Sequence, residues 1–231
     1  MDGSVKRGVA FSAVFYAVSA VSLSLYVVGL TVNNGTYALL SMILFAFSTV
    51  AGALTLTYKT PDNFARRAMR VNVAVLFAVF VLFVVQLTFF SRHTDVYTDV
   101  QNGFTDPREY YLAHYVNLIP FHTISDLYID NMNGEDVSRA YVLYNMLGNI
   151  FILAPTALLL PALFKRMNNV WLYVLTVLLS SCLIEVLQLA TMRGSCDVDD
   201  VLLNTAGAML VMGILKLPPV SRTVNRLLRH C

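Results

Sequence analysis

One acidic residue lies inside an otherwise apolar stretch of the sequence. Glu185 is flanked by isoleucine, valine and leucine, and Gln188, three residues later, would share its face of a helix. A carboxyl group within lipid is costly unless it is paired, protonated or open to water, so Glu185 is a functional candidate by default. A structural hydrogen bond between helices is the alternative. If the protein is an enzyme, Glu185 would act as a general acid or base.

A short polar turn follows this stretch. It contains Arg193, Asp197, Asp199 and Asp200, and Asn204 lies one helical turn beyond Asp200. The planar fork of an arginine suits a phosphate or a carboxylate, and Asp197 with Asp200 would anchor either that arginine or a metal. The alternative is that these acids cap the next helix, whose amide groups and dipole favour an acid. We expect at least one of the three aspartates to be such a cap.

Two asparagines belong to an earlier apolar stretch. Asn145 and Asn149 are four residues apart and would therefore lie on one helix face. Interhelical hydrogen bonds of this kind contribute only about 0.6 to 2 kcal/mol each, so the pair fits helix packing and ligand binding equally well. Gly148 would allow a close helix approach, and Pro155 and Pro161 would bend or end the helix.

Several familiar catalytic motifs are absent from the sequence. It has no P-loop, HExxH, paired CxxC or GxSxG, and its four histidines lack zinc-site spacing. A carboxylate cluster suits Mg²⁺, Mn²⁺ or Ca²⁺ better than zinc. We expect no metal and no cofactor, with a divalent ion at the three aspartates as the alternative.

The composition predicts a membrane protein. The chain is 57% hydrophobic and 13% charged, with a mean hydropathy of +0.65, so most of its surface must face lipid. The net charge of +2 is too small to indicate nucleic-acid binding. The three cysteines fall at different depths or on opposite sides of the membrane, so we expect no structural disulfide.

Six stretches approach the ~20 apolar residues that a spanning helix needs. They cover residues 8–32, 36–58, 71–90, 140–164, 170–190 and 201–217. All are apolar on every side and none alternates as a barrel strand would. The sequence therefore predicts an all-α, polytopic helical membrane bundle with about six transmembrane helices.

The distribution of lysine and arginine predicts the orientation. If the helices strictly alternate, Arg92, Arg108, Arg139 and Arg193 lie on one side and the other twelve basic residues on the opposite side. Cytoplasmic loops retain basic residues, so both termini should be cytoplasmic, with residues 91–139 and 191–200 outside. A cleaved signal peptide is the alternative for the first helix, but its apolar run continues to Val32.

Three regions follow from this topology. Residues 1–70 would form a two-helix transmembrane scaffold, residues 71–217 the membrane domain that carries the candidate site, and residues 218–231 a basic cytoplasmic tail. The outer segment 91–139 is rich in tyrosine and phenylalanine, which favours folding back onto the membrane surface.

Four segments together resemble the VanZ-like family over roughly residues 115–211. They are Asn117-Leu118-Ile119-Pro120-Phe121, then Asn145-Met146-Leu147-Gly148-Asn149-Ile150-Phe151 with Pro155, then Glu185-Val186-Leu187-Gln188, and finally Arg193 with Asp197, Asp200, Asn204 and Gly207. Ala157 stands where the family usually has glycine. The resemblance implies a multi-pass protein of the bacterial cytoplasmic membrane, similar to one associated with resistance to teicoplanin and related lipoglycopeptides.

We therefore expect the protein to bind or modify a lipid-linked envelope component at the outer face. Glu185 and Asp200 are the candidate catalytic residues. The candidate substrate-binding residues are Asn117, Asn145, Asn149, Gln188, Arg193, Asp197 and Asn204. The expected partners are membrane lipids and a lipid-linked cell-wall precursor or lipoglycopeptide antibiotic, with no nucleic acid. A non-enzymatic transporter or partner-binding scaffold is the alternative, although a transporter should place its polar residues near the midplane and show repeats.

Overall fold

The computed structural model describes residues 3–31, 35–57, 62–89, 106–125 and 139–227. Much of the expected outer segment, together with the final residues of the basic tail, lies outside the described residues. The predicted orientation of the termini stays a prediction.

The described chain is almost entirely helical. Its helices are α1 (Gly3–Thr31), α2 (Gly35–Thr57), α3 (Asp62–Phe89), α4 (Pro107–His114), α5 (Arg139–Ile152), α6 (Thr156–Leu163), α7 (Val170–Thr191), α8 (Val198–Lys216) and α9 (Pro218–Leu227). A 3-10 turn, Lys165–Asn168, precedes α7. Two very short strands, β1 (Val116–Asn117) and β2 (Cys196–Asp197), complete the described elements.

Five helical segments are long and apolar enough to cross a membrane. They are Val9–Gly29, Phe64–Phe89, Leu143–Leu163, Val170–Thr191 and Val198–Lys216. A sixth apolar segment, Leu40–Leu56 within α2, is shorter. The prediction of an all-α polytopic bundle is confirmed, and the protein is a multi-pass membrane protein.

Residues 1–80 and 218–231 form one compact unit, called here the N-terminal unit. Within it, α1 and α2 pack closely through small residues. The hydroxyl oxygens of Ser19 and Ser48 are 2.8 Å apart, and Thr49 donates to Ser19 at 3.1 Å. A side chain at Gly52 would approach Phe15 and Tyr16 of α1 to 3.1–3.3 Å, so glycine keeps this contact close.

Residues 81–217 form the second unit, called here the C-terminal unit, in which α8 contacts α5, α6 and α7. A Cβ atom on Gly207 of α8 would collide with the backbone carbonyl of Ile150 in α5, so these two helices touch through their backbones. Around Gly148, no atom of the described residues lies within 4 Å of the corresponding position. The expectation that Gly148 permits the close approach is therefore wrong, because that glycine faces open space.

Proline interrupts the span that contains α5 and α6. The first helix ends at Ile152, and Pro155 directly precedes the second. Since proline cannot donate a backbone hydrogen bond, it is suited to this break. The Thr156 hydroxyl bonds the Leu153 carbonyl at 2.5 Å and lies 2.9 Å from the Tyr173 hydroxyl, which links the break to α7.

The two strands pair in parallel and connect distant parts of the chain. Val116 is opposite Cys196 and Asn117 is opposite Asp197. The Cys196 amide also donates to the Tyr115 carbonyl at 2.8 Å. This pairing, which the sequence analysis did not foresee, places the segment after α4 against the turn between α7 and α8.

Candidate functional site

A tight left-handed turn joins α7 to α8. Met192 has φ +52° and Gly194 has φ +78°. The Gln188 carbonyl near the end of α7 accepts from the Arg193 amide and from the Tyr111 hydroxyl, both at 3.2 Å. A Cβ atom on Gly194 would come within 2.5 Å of the Gln188 side chain. Glycine is therefore required here both for its backbone conformation and for space.

Glu185 faces protein rather than lipid. Its side chain is only 6% exposed, and its Oε2 accepts the Asp197 backbone N–H at 2.9 Å. That hydrogen bond crosses from the last turns of α7 to β2, directly before α8. The carboxyl group thus holds the entry to the following helix as well as being a candidate for chemistry.

The Gln188 carboxamide lies between two acceptors. One end is 3.3 Å from the Thr88 carbonyl, and the other is 3.1 and 3.3 Å from the Glu185 carboxyl oxygens. When its nitrogen donates to Thr88, its oxygen faces the Glu185 carboxyl oxygens. When the amide is turned, its nitrogen donates to both Glu185 oxygens, and this is the better-satisfied orientation. Gln188 therefore lies within hydrogen-bond distance of Glu185 on one face of α7.

Asp197 both caps α8 and binds the segment after β1. Its Oδ1 accepts the Asp199 amide at 2.8 Å, which is the helix cap expected of one of the three aspartates. The same oxygen accepts the Asn117 amide at 3.0 Å, and Oδ2 accepts the Thr123 hydroxyl at 2.5 Å. Four hydrogen bonds to Asp197 and Glu185 thus connect residues from three parts of the chain.

Asp199 is completely buried and accepts backbone amides. Its Oδ1 accepts from Phe121 at 2.5 Å, while its Oδ2 accepts from Thr123 at 3.0 Å and from Ile124 at 3.4 Å. From the sequence, this residue was predicted to be no more than a possible cap. Asp197 and Asp199 together fix residues 117–124 to the start of α8, an arrangement called here the aspartate clamp.

Two further polar pairs lie between helices. The Asn149 amide donates to Asp200, which joins α5 to α8, and both side chains are buried. The Asn204 amide donates to the Ser181 hydroxyl at 2.8 Å, which joins α8 to α7. Among the described residues, the buried Asn204 Oδ1 has no hydrogen-bond partner. That oxygen is available to accept a donor from a ligand.

The carboxyl groups of this cluster surround a buried thiol. Burial raises the pKa of Cys196, and the nearby Glu185, Asp197 and Asp200 raise it further. Burial, followed by the charges of Cys196 and Glu185, raises the pKa of Tyr111 to about 12. Both groups therefore stay protonated at neutral pH, which excludes Cys196 as a ready thiolate nucleophile.

The predicted site residues fall into two sets. Those with buried side chains are Asn149, Glu185, Gln188, Asp197, Asp200 and Asn204, and half-buried Asn117 is bonded to them through Asp197. Asn145 is half-buried and Arg193 is exposed, so these two are outside the buried set. The expected cavity opening outward from this set stays a prediction.

Three contributors were not foreseen. Ser181 could have been found, because it lies four residues before Glu185 and shares its helix face. Thr123 and Thr88 carry no such signal, since their partners are about 75 and 100 residues away. Within the described residues, no three histidine, cysteine or carboxylate side chains are arranged to hold a metal ion.

Comparison with known proteins identifies the family. The model of the VanZ/LLP1 family matches residues 77–219, more than half of the chain. This match includes every predicted site residue and begins within α3, close to the start of the C-terminal unit. No curated protein and no solved structure matches the chain. The chain belongs to the VanZ/LLP1 family.

Proposed function

We propose that this VanZ/LLP1 protein binds or modifies a lipid-linked envelope component and thereby contributes to resistance against teicoplanin and related lipoglycopeptides. The observation that carries the proposal is a set of buried acids and amides between the membrane-spanning helices α5, α7 and α8. Ionisable groups in such a position are costly and are usually functional. The resistance role rests on the family and not on the geometry.

Glu185 is the proposed general acid or base. It is 6% exposed, and the Gln188 amide lies 3.1 and 3.3 Å from its carboxyl oxygens. A group that exchanges a proton and has a partner able to donate or accept meets the first requirement for such catalysis. Asp200, held by Asn149, is the second candidate catalytic carboxyl group.

The remaining candidates would bind substrate. The free Oδ1 of Asn204 can accept a hydroxyl or amide group. Arg193, exposed at the end of α7, has the planar fork that binds a phosphate or carboxylate, both common in lipid-linked envelope components. A substrate lying between these residues would have its polar head at the membrane boundary and its chains in lipid.

A second candidate function is non-enzymatic binding, as in a transporter or a partner-binding scaffold. The aspartate clamp favours it, because five of the hydrogen bonds to its two carboxylates come from the protein's own segment 117–124. Carboxylates used in this way hold structure and take no part in proton transfer. The decision between the two functions therefore rests on Glu185 and Asp200.

The orientation can be tested by labelling with a membrane-impermeant maleimide. Native Cys196 is a poor reporter, because it is buried and its pKa is raised. Cysteines introduced at the exposed positions Glu109 and Lys165 in a cysteine-free chain are better reporters. We expect labelling of intact cells at position 109 alone. Labelling at position 165 alone would place the candidate site on the cytoplasmic side.

The function is tested by comparing cells with and without the intact protein. Lipid and cell-wall precursor profiles should differ, and sensitivity to teicoplanin should fall more than sensitivity to vancomycin. Unchanged profiles and susceptibility, with membrane expression verified, would remove the proposed function. A changed profile with unchanged susceptibility would retain the lipid-linked substrate and remove the resistance role.

A further inference from the structure

Four consecutive apolar residues are exposed in the segment after β1. Leu118, Ile119 and Phe121 are 70%, 63% and 62% exposed, and Pro120 between them is also exposed. Residues 118–121 are called here the apolar tip. A run of this kind is unusual on a water-facing loop, where it favours association or insertion.

The apolar tip is held in a defined conformation. The Asn117 side chain accepts the Ile119 amide at 3.0 Å, and Asp199 accepts the Phe121 amide at 2.5 Å. Phe121 has φ +66°, a left-handed conformation that is unfavourable for a residue with a Cβ atom. Two side chains thus hold the backbone of the tip while its own side chains stay exposed. The hydrogen bonds to the backbone therefore keep these apolar side chains exposed.

The tip lies at the ends of two membrane-spanning helices. It is bonded to Asp199 in the first turn of α8, and β1 pairs with β2 in the turn that follows α7. Both helices carry exposed apolar side chains near these ends, such as Leu189 and Leu202. The lipid-facing surface of the bundle is therefore continued by the apolar tip at the level of the membrane boundary.

The neighbouring aromatic side chains fit the same depth. The ring of half-buried Tyr110 stacks on that of His114 in α4 at 4.3 Å, and half-buried Tyr115 follows between α4 and β1. Tyrosine rings are enriched at the lipid headgroup level because they have an apolar body and a polar end. Tyr115 directly precedes β1, which indicates that the end of α4 next to the apolar tip lies at the interface, whereas Arg108 is in the first turn at the opposite end of that helix.

We infer that residues 118–121 insert into the bilayer surrounding the bundle, with Leu118, Ile119 and Phe121 among the upper acyl chains. The aspartate clamp would then hold a membrane-inserted wedge at a fixed position beside α8. The inference holds on either side of the membrane and does not depend on the proposed function.

Tryptophan fluorescence tests the inference in the full chain. The single native tryptophan is removed by Trp171→Phe, and Ile119→Trp or Phe121→Trp then reports on the tip in POPC and POPG nanodiscs. Arg108→Trp, at an exposed position of α4, is the matched control. The quenchers are a nitroxide on the upper acyl chain of the lipid and iodide in the water.

We expect the nitroxide to quench the tip reporters several-fold more strongly than the Arg108→Trp control, and iodide to quench them less. Adding Phe121→Asn to Ile119→Trp should weaken the lipid quenching, since asparagine tolerates the left-handed backbone but disfavours lipid. A tip quenched by iodide as strongly as the control would overturn the inference. So would a tip shielded from both quenchers, because a second copy or another protein segment would then cover it.

Discussion

The two units of the chain use polar side chains in different ways. In the N-terminal unit, hydroxyl groups mainly bond their own helix, as Ser22 does to the Val18 carbonyl at 2.7 Å and Thr55 to the Ala51 carbonyl at 2.9 Å. The described side chains of that unit include no carboxylate. In the C-terminal unit, carboxylates and amides join segments about 50 to 100 residues apart.

This difference bears on where the proposed function lies. A hydroxyl group that donates to a carbonyl of its own helix has its hydrogen bond within lipid and needs no partner from another segment. Buried acids require partners from other segments, so retaining several of them costs stability unless they serve a further purpose. The contrast supports the proposed site in the C-terminal unit, and the role of the N-terminal helices as a scaffold stays a prediction.

The largest expected effect is on activity, from Glu185→Gln. Glutamine still accepts the Asp197 amide and still fits beside Gln188, but it cannot exchange a proton. We expect loss of the lipid and precursor changes and of teicoplanin protection, with normal expression and an unchanged thermal midpoint in detergent.

Glu109→Gln is the matched control for this change. Glu109 is a glutamate at an exposed position of α4, so the same change of side chain can be made there. It should leave activity unaltered. Full activity of Glu185→Gln would remove the acid–base role and favour the binding function, whereas a lowered midpoint would make Glu185 a structural residue.

The next effect is on stability, from Gly207→Ala. The added methyl group would collide with the backbone carbonyl of Ile150, which cannot rotate away as a side chain can. We expect the free energy of unfolding to fall by about 3 kcal/mol, the upper part of the usual range for overpacking. Thermal unfolding in detergent measures it.

Gly213→Ala, in the same helix, is the control for Gly207→Ala. Within the part of the chain that the structure describes, no atom lies within 4 Å of the position that its methyl group would occupy. Alanine has a higher helix propensity than glycine, so the Gly213→Ala variant should be as stable as the unchanged protein or slightly more stable. Equal effects of the two variants would show that α5 and α8 do not rely on backbone contact.

A smaller loss of stability is expected from Asp199→Asn. Asparagine replaces one accepting oxygen by a donor, so at least one backbone amide of residues 121–124 loses its acceptor. Hydrogen bonds to charged groups contribute about 1.5–3 kcal/mol each, so we expect the free energy of unfolding to fall by about 2 kcal/mol. Proteolysis of residues 117–124 should accelerate as the thermal midpoint falls.

Asp106→Asn is the control for Asp199→Asn, because it also replaces an aspartate that accepts a backbone amide. Asp106 also accepts a backbone amide, from Arg108 at 2.9 Å, but it is an exposed cap of α4, and asparagine serves as well in such a cap. It should change stability little. If Asp199→Asn were equally mild, the aspartate clamp would not hold the apolar tip.

The smallest effect is expected in the N-terminal unit, from Ser19→Ala. This change removes the hydrogen bonds with Ser48 and Thr49 between α1 and α2. Interhelical hydrogen bonds in membranes average about 0.6 kcal/mol, and activity should be unaffected. If Ser19→Ala lost activity but kept its stability, the N-terminal unit would contribute to function and could not be a scaffold alone.

The sequence was sufficient for properties that depend on local patterns. The apolar stretches predicted the helices, and the burial of Glu185 followed from the cost of a carboxyl group in lipid. The cap of α8 was also foreseen, although not which aspartate forms it. Each of these depends on residues within one or two helical turns.

What the sequence could not supply depends on contacts between distant segments. Gly148 and Gly207 are equally plausible helix-contact residues by type, and only the packing of α5 on α8 distinguishes them. Asp199 resembles its neighbours in the sequence, but its carboxylate accepts the backbone amides of Phe121, Thr123 and Ile124.

The parallel pair of β1 and β2 has a consequence for the order of folding during synthesis. Asn117 and Asp197 are 80 residues apart, so β1 has no partner until the turn before α8 has been made. Closing so long a loop costs conformational entropy, and domains generally form from the N-terminus as the ribosome extends the chain. The segment after α4 must therefore await the last spanning helix, and a nascent chain halted after α7 would leave it unanchored.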